Sequence, residues 1–165
     1  MTVPFAAVSP GQPVILAADH AGYDLKQAIK EFLTSHQIAV EDVGCFSANT
    51  AVDYPRIGET AIHAMPQHPE AKAILVCGSG VGVCIAANRF AHIRAVLAHD
   101  VHLARMSRLH NNANVLCLGG RFVAPALAET IVETWLSTLY EGERHEARVS
   151  MLQNLNTSVG QPMGC

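Results

Sequence analysis

Five short apolar runs, spaced so that a helix fits between each and the next, constrain this chain more than any other feature. They are PVILAA (13–18), IAVEDVG (38–44), AILV (73–76), IRAVLAH (93–99) and ANVLCLGG (113–120). Near-continuous apolar runs are what strands covered on both faces require, whereas a half-exposed strand alternates apolar with polar. IAVEDVG is the most polar and reads as lying nearer an edge. Within residues 23–33, Leu25, Ala28, Ile29, Phe32 and Leu33 recur at helical spacing. Pro55 is placed to open a second helix, and residues 80–88 and 100–108 read as two more. A long helix from Pro125 to Leu139 carries Leu127, Ile131 and Trp135, and a last one covers about 145–155. This alternation predicts an α/β sandwich around a five-stranded parallel sheet.

At 165 residues the chain suits one domain, expected over 14–155, with a flexible lead-in at 1–13 and a flexible tail at 156–165. Eleven basic residues against fourteen acidic give a net charge of −3, so no general positive field favours nucleic acid. No run of apolar residues is long enough for a membrane span, and MTVPFAAVSPGQ lacks the pattern of a signal peptide. The five cysteines include no CxxC pair, which favours a reduced, cytoplasmic protein. No HExxH or other metal spacing is present, so no metal is expected.

Parallel sheets bind ligands beyond the carboxyl ends of their strands. Asp19 and His20, Cys77 to Gly82, His99 and Asp100, and Gly119 to Arg121 fall there. The turn CGSGVG has neither the lysine of a phosphate-binding P-loop nor the spacing of a dinucleotide fingerprint. Its glycines let the backbone approach a ligand, and the amides opening the next helix can face an anion or an oxyanion. Cys77 beside them reads either as a base or nucleophile or as a core residue; Cys84 and Cys117 read as core packing. His20 after Asp19 is a tautomer-fixing pair or simply a turn. His110 and Asn111 carry proton-transfer and oxyanion-binding groups. They stand before the fifth strand, on the face opposite the strand ends, and reach the site only through a bent helix or by serving a second subunit. Arg144 and Arg148, four apart, suit a phosphate or else pair with Glu141, Glu143 or Glu146.

ADHAGYDLK (18–26), DYP (53–55), LVCGSGVGVCIAANR (75–89), IRAVLAHD (93–100), HNNANVLCLGGR (110–121) and EGERHEAR (141–148) resemble, in order, the sugar-phosphate isomerases of the ribose-5-phosphate isomerase B and galactose-6-phosphate isomerase family. The resemblance implies a three-layer α/β/α Rossmann-like fold, no cofactor or metal, and a homodimer with shared active sites, with tetramers of paired dimers left open. It implies aldose–ketose isomerisation, first of ribose 5-phosphate, through a cis-enediolate. Cys77 would be the base, with Ser79 assisting and His110 opening the sugar ring. The backbone of Gly78, Gly80, Val81 and Gly82 would hold the enediolate oxygen. Asp19, His20, Tyr54, Asn111 and Arg121 would bind substrate, and Arg144 and Arg148 the phosphate. One branch of the family uses a glutamate where this chain has Val83, which places the chain in the cysteine branch. A six-carbon or four-carbon substrate, or a non-catalytic partner subunit, are the alternatives, and a redox role for Cys77 lacks a resolving CxxC.

Overall fold

The computed structural model describes residues 4–65 and 70–155; the expected tail at 156–165 lies outside them. The chain runs β1 (Val14–Ala18), α1 (Tyr23–Ser35), β2 (Val40–Asp42), α2 (Tyr54–Ala64), β3 (Ala73–Cys77), α3 (Val81–Ala87), β4 (Ala95–Leu97), α4 (Val101–Asn111), β5 (Val115–Gly119), α5 (Pro125–Ser137) and α6 (Glu146–Asn154). Short 3-10 turns occupy His20–Gly22 and Glu143–His145. All strand pairs are parallel, in the order β2-β1-β3-β5-β4.

The period of two along each strand divides the core into the two sides of a three-layer sandwich. Val14, Leu16 and Ala18 of β1 face Leu25, Ile29 and Leu33 of α1, together with Ile131 and Trp135 of α5. Ile15 and Ala17 face the other way, onto Ile57 and Ala61 of α2 and Val83 and Ala87 of α3. The three inner strands β1, β3 and β5 are buried throughout, whereas β2 and β4 are three-residue edges only partly covered. IRAVLAH therefore supplies a shorter strand than its apolar run predicts. Among the described residues no helix is long and apolar enough to cross a membrane.

Two differences from the sequence-based expectation matter for function. Helix α4 continues past 108 to Asn111, because Asn112 adopts the left-handed conformation (φ 47°) and its N–H bonds back to Arg108 and Ser107. Asparagine tolerates that conformation better than most residues, so it can end a helix as glycine does. Residues 4–13, read as a flexible lead-in, make contacts with the body: the Ala7 N–H donates to the Leu136 carbonyl at 2.8 Å, and the Phe5 ring lies tilted against Phe32 and His36, its centroid 6.2 and 5.3 Å from theirs.

Lys26 is fully buried, its ammonium 2.7 Å from Asp42 and 2.6 Å from the Cys45 carbonyl, while Lys30 holds the other Asp42 oxygen at 3.0 Å. Burial alone would raise the Asp42 pKa; hydrogen bonds from Lys26 and Lys30 outweigh it and leave the carboxyl below its ordinary 3.8. A depressed carboxylate contributes stability above its unfolded pKa and loses it as pH falls through the folded one. The stability gap between wild type and Asp42→Asn, measured by urea denaturation, should therefore be full above about pH 4 and shrink steadily in more acid solution.

Candidate active site

From β1 the chain crosses to β2 at one edge, then returns past β1 to β3. The carboxyl ends of β1 and β3 thus flank the point where the winding direction reverses, where open α/β sheets form their crevice. Asp19 follows β1 there, and Cys77 closes β3. The Asp19 carboxylate accepts the Gly22 N–H at 2.9 Å, capping the 3-10 turn that carries His20. The His20 Nδ1 accepts the Val52 N–H at 3.3 Å. That assigns the ring proton to Nε2, so a neutral His20 is a donor from its other nitrogen.

Cys77 is buried, and its Sγ accepts the Gly80 N–H at 3.1 Å. Around it the turn is laced to the exit of β5. The Gly120 N–H donates to the Cys77 carbonyl at 2.8 Å, and the Arg121 N–H to the Gly78 carbonyl at 3.1 Å. Gly80 stands at φ 79°, and the Arg121 guanidinium lies so close over Gly78 that a Cβ there would sit 3.3 Å from it. The Tyr54 ring covers Gly82, where a Cβ would approach within 2.7 Å. Ser79 Oγ accepts the Val81 N–H at 3.3 Å. The structure thus brings Asp19, His20, Tyr54, Cys77, Gly78, Ser79, Gly80, Val81, Gly82 and Arg121 to one end of the sheet. Cys117 of β5 packs in the core on the side covered by α2 and α3, burial pushing its thiol pKa well up, while Cys84 is half-buried beside it.

The remaining candidates gather elsewhere. His110 and Asn111 end α4, which leads into the amino end of β5, and the Glu141 N–H donates to the Leu109 carbonyl at 3.1 Å. Arg144 and Arg148 follow, both exposed, and neither forms an ion pair with a carboxylate among the described residues. Strands of five residues span about 16 Å, so within one chain this group and Cys77 lie at opposite ends of the sheet. A cavity of about 370 Å³ near α4 is lined by Asn111, Arg94 and Leu152, and by no residue of the Cys77 turn.

Two residues missing from the sequence-based set join the second group. The imidazoles of His110 and His145 stack at 4.2 Å and 16°. Glu141 Oε2 lies 3.7 Å from His110 Nε2 and 3.5 Å from His145 Nε2. The four-residue spacing of Glu141 and His145 was visible in the sequence; their meeting with His110 depends on tertiary packing.

Residues 14–152 match the ribose/galactose isomerase family model. Ribose-5-phosphate isomerase B of Escherichia coli is 40% identical over 139 residues, 84% of this chain and 93% of the relative. D-erythrulose-4-phosphate isomerase 2 of Mycolicibacterium smegmatis is 37% identical, over 81% of this chain and 90% of the relative. The crystal structure of ribose-5-phosphate isomerase B from Mycoplasma genitalium with bound ribulose-5-phosphate superposes with a TM-score of 0.85 at 34% identity, covering 90% of this chain and 99% of that one. The match runs from β1 into α6 and takes in both groups of candidate residues: the chain belongs to the ribose/galactose isomerase family of sugar-phosphate isomerases.

Proposed function

We propose that the protein interconverts ribose 5-phosphate and ribulose 5-phosphate, with Cys77 as the base, at a site that two copies of the chain complete together. The observation that carries this is the buried Cys77 sulfur at the switch point, held as an acceptor by the Gly80 N–H. A base must be an acceptor before it takes a proton, and the neighbouring backbone amides suit the oxyanion that forms next. Val83, buried in the core where the other branch of the family carries a glutamate, leaves no second base at that position.

In the open-chain aldose, the Cys77 thiolate removes the C2 proton. The C–H electron pair becomes the C1–C2 double bond, and the C1 carbonyl pair moves onto O1. The proton returns to C1, while the O2 hydroxyl proton passes to O1 and leaves C2 as the new carbonyl. Ser79 stands beside the cysteine with a hydroxyl able to relay that second proton. Amides of the Gly78–Gly82 turn hold the negative oxygen. Arg144 and Arg148 of the second copy grip the phosphate, away from the thiolate that its charge would oppose. Binding energy from the phosphate then orients C1 and C2 against the sulfur.

The separation of the two groups along the sheet supports sharing, and sharing predicts complementation. Cys77→Ala and His110→Asn should each be inactive alone toward ribose 5-phosphate. Dissociated, mixed in equal amounts and reassociated, they should regain about a quarter of wild-type activity, because half the two-fold dimers are mixed and each holds one intact site. A mixture that re-pairs but stays inactive would place the whole site within one chain. A second reading, a four-carbon sugar phosphate, is favoured by the similarity to the D-erythrulose-4-phosphate isomerase relative. Ketose formation from a panel of four-, five- and six-carbon aldose phosphates separates the two.

A further inference from the structure

We infer that Glu141 and His145 are positioning residues for His110: Glu141 sets where the His110 proton lies, and His145 fixes the plane of its ring. The inference rests on the reading above, in which His110 opens the cyclic sugar.

Three groups with metal-ligand chemistry, His110, Glu141 and His145, bring their donor atoms within 4.8 Å of one another. The geometry does not suit a cation. Two rings stacked at 16° direct their in-plane lone pairs side by side rather than toward one point. The Arg144 Nε–H also donates to His145 Nε2 at 3.2 Å, which occupies the lone pair a metal would need and brings a positive charge to it.

That same bond orders the protons. His145 Nε2, as an acceptor from Arg144, carries no proton of its own. Burial, His110 and Arg144 all push the His145 pKa below 6.5, against the opposing pull of Glu141, so the ring is neutral at neutral pH. The Glu141 carboxylate therefore meets a lone pair at His145, and its proton-bearing partner is His110 Nε2 at 3.7 Å. This is ion-pair rather than hydrogen-bond length, and such contacts tighten when substrate arrives. With Nε2–H turned toward Glu141, the other ring nitrogen, Nδ1, is the one left for the sugar. The charged and titratable groups facing this cluster are Glu141, Arg144, His145 and Arg148.

In ring opening, Nδ1 takes the proton from the anomeric O1–H, the C1–O1 bond becomes the carbonyl, and the C1–O4 electron pair leaves on the ring oxygen. The imidazolium then returns its proton to O4. Glu141 favours the imidazolium formed midway, and the stacked His145 ring keeps it from turning away.

Glu141 is exposed, so Glu141→Gln keeps the shape and removes the charge with little risk to folding. Two reactions of the wild type and this variant separate the steps. Conversion of ribose 5-phosphate needs the ring opened. Exchange of the C1 proton of ribulose 5-phosphate with deuterated water does not, because its O5 carries the phosphate and cannot close a five-membered ring. The expected result is a fall of about tenfold to a hundredfold in kcat/KM for ribose 5-phosphate, with C1 exchange within about twofold of wild type. In nitrogen NMR of histidine-labelled protein, His110 Nε2 should show a protonated signature that Glu141→Gln weakens. Equal losses in both reactions would make Glu141 a general support, and no loss in either would remove it from the mechanism; each overturns the inference. A wild type that catalyses neither reaction overturns the isomerase reading itself, and the inference falls with it.

Discussion

Cys77→Ala is expected to lower kcat for ribose 5-phosphate by about a thousandfold, the scale on which a positioned base contributes, while leaving substrate affinity close to wild type. The substitution removes one buried sulfur and leaves the Gly80 N–H without its partner at 3.1 Å. An unsatisfied buried amide costs about 1–3 kcal/mol, which a folded domain can sustain. Cys77→Ser separates that structural cost from the chemical one. Its hydroxyl can still accept the Gly80 N–H, but it ionises far less readily than a thiol. The serine variant should therefore unfold at nearly the wild-type denaturant midpoint and yet be about as inactive as the alanine variant. Steady-state rates of ketose formation, paired with calorimetric binding of ribose 5-phosphate, read both effects. Near-wild-type turnover by either variant would remove Cys77 from the mechanism.

Gly80→Ala is expected to destabilise the fold by about 3 kcal/mol, a sum of left-handed strain and overpacking. At φ 79° a Cβ would meet Leu97 Cδ1 at 2.5 Å, the Leu118 carbonyl carbon at 2.8 Å and the Gly119 amide nitrogen at 3.0 Å. The leucine methyl can move; the β5 backbone cannot without disturbing the sheet. Gly11 offers the comparison, since it sits in the Ser9–Gln12 turn at a similar φ of 77° but with nothing within 4 Å of a Cβ. Gly11→Ala should thus cost only the conformational part, about 1–2 kcal/mol. Urea midpoints of the two variants measure the difference, and equal losses would show that steric approach to β5 contributes nothing. The Gly80 variant should also lose turnover, because the displaced amide is the one that holds the cysteine sulfur.

Much of this architecture is legible in the residues because burial on both faces leaves a plain signature. VILAA, AILVC and VLCLG are the three inner strands and read almost at their observed bounds. The edges read less well: an apolar run such as IRAVLAH does not reveal how many of its residues find a partner strand. Strand order is likewise absent from the pattern, since every crossover helix looks alike locally. At the site, the strand-end rule led to Asp19, His20 and Cys77 because it follows from parallel winding alone. The same rule placed His110 on the far face, and the structure puts it there. Glu141 and His145 escaped because their partner is some thirty residues away in sequence, joined through the Glu141 N–H to Leu109 contact. The arginine pair was expected on one helical face; Arg144 instead lies in a 3-10 turn and only Arg148 in α6.

The segment before β1 has a practical consequence. The family match begins at residue 14, yet Ala7 and Phe5 bond to Leu136 and Ser137 at the end of α5. The next residue, Thr138, receives the Arg108 guanidinium through its carbonyl, and the chain then turns into Glu141. Residues outside the family's shared length thus act as a buttress behind the turn that carries Glu141 and Arg144. A recombinant version trimmed to the family boundary would retain every candidate residue and still lose the outer prop of the group around His110.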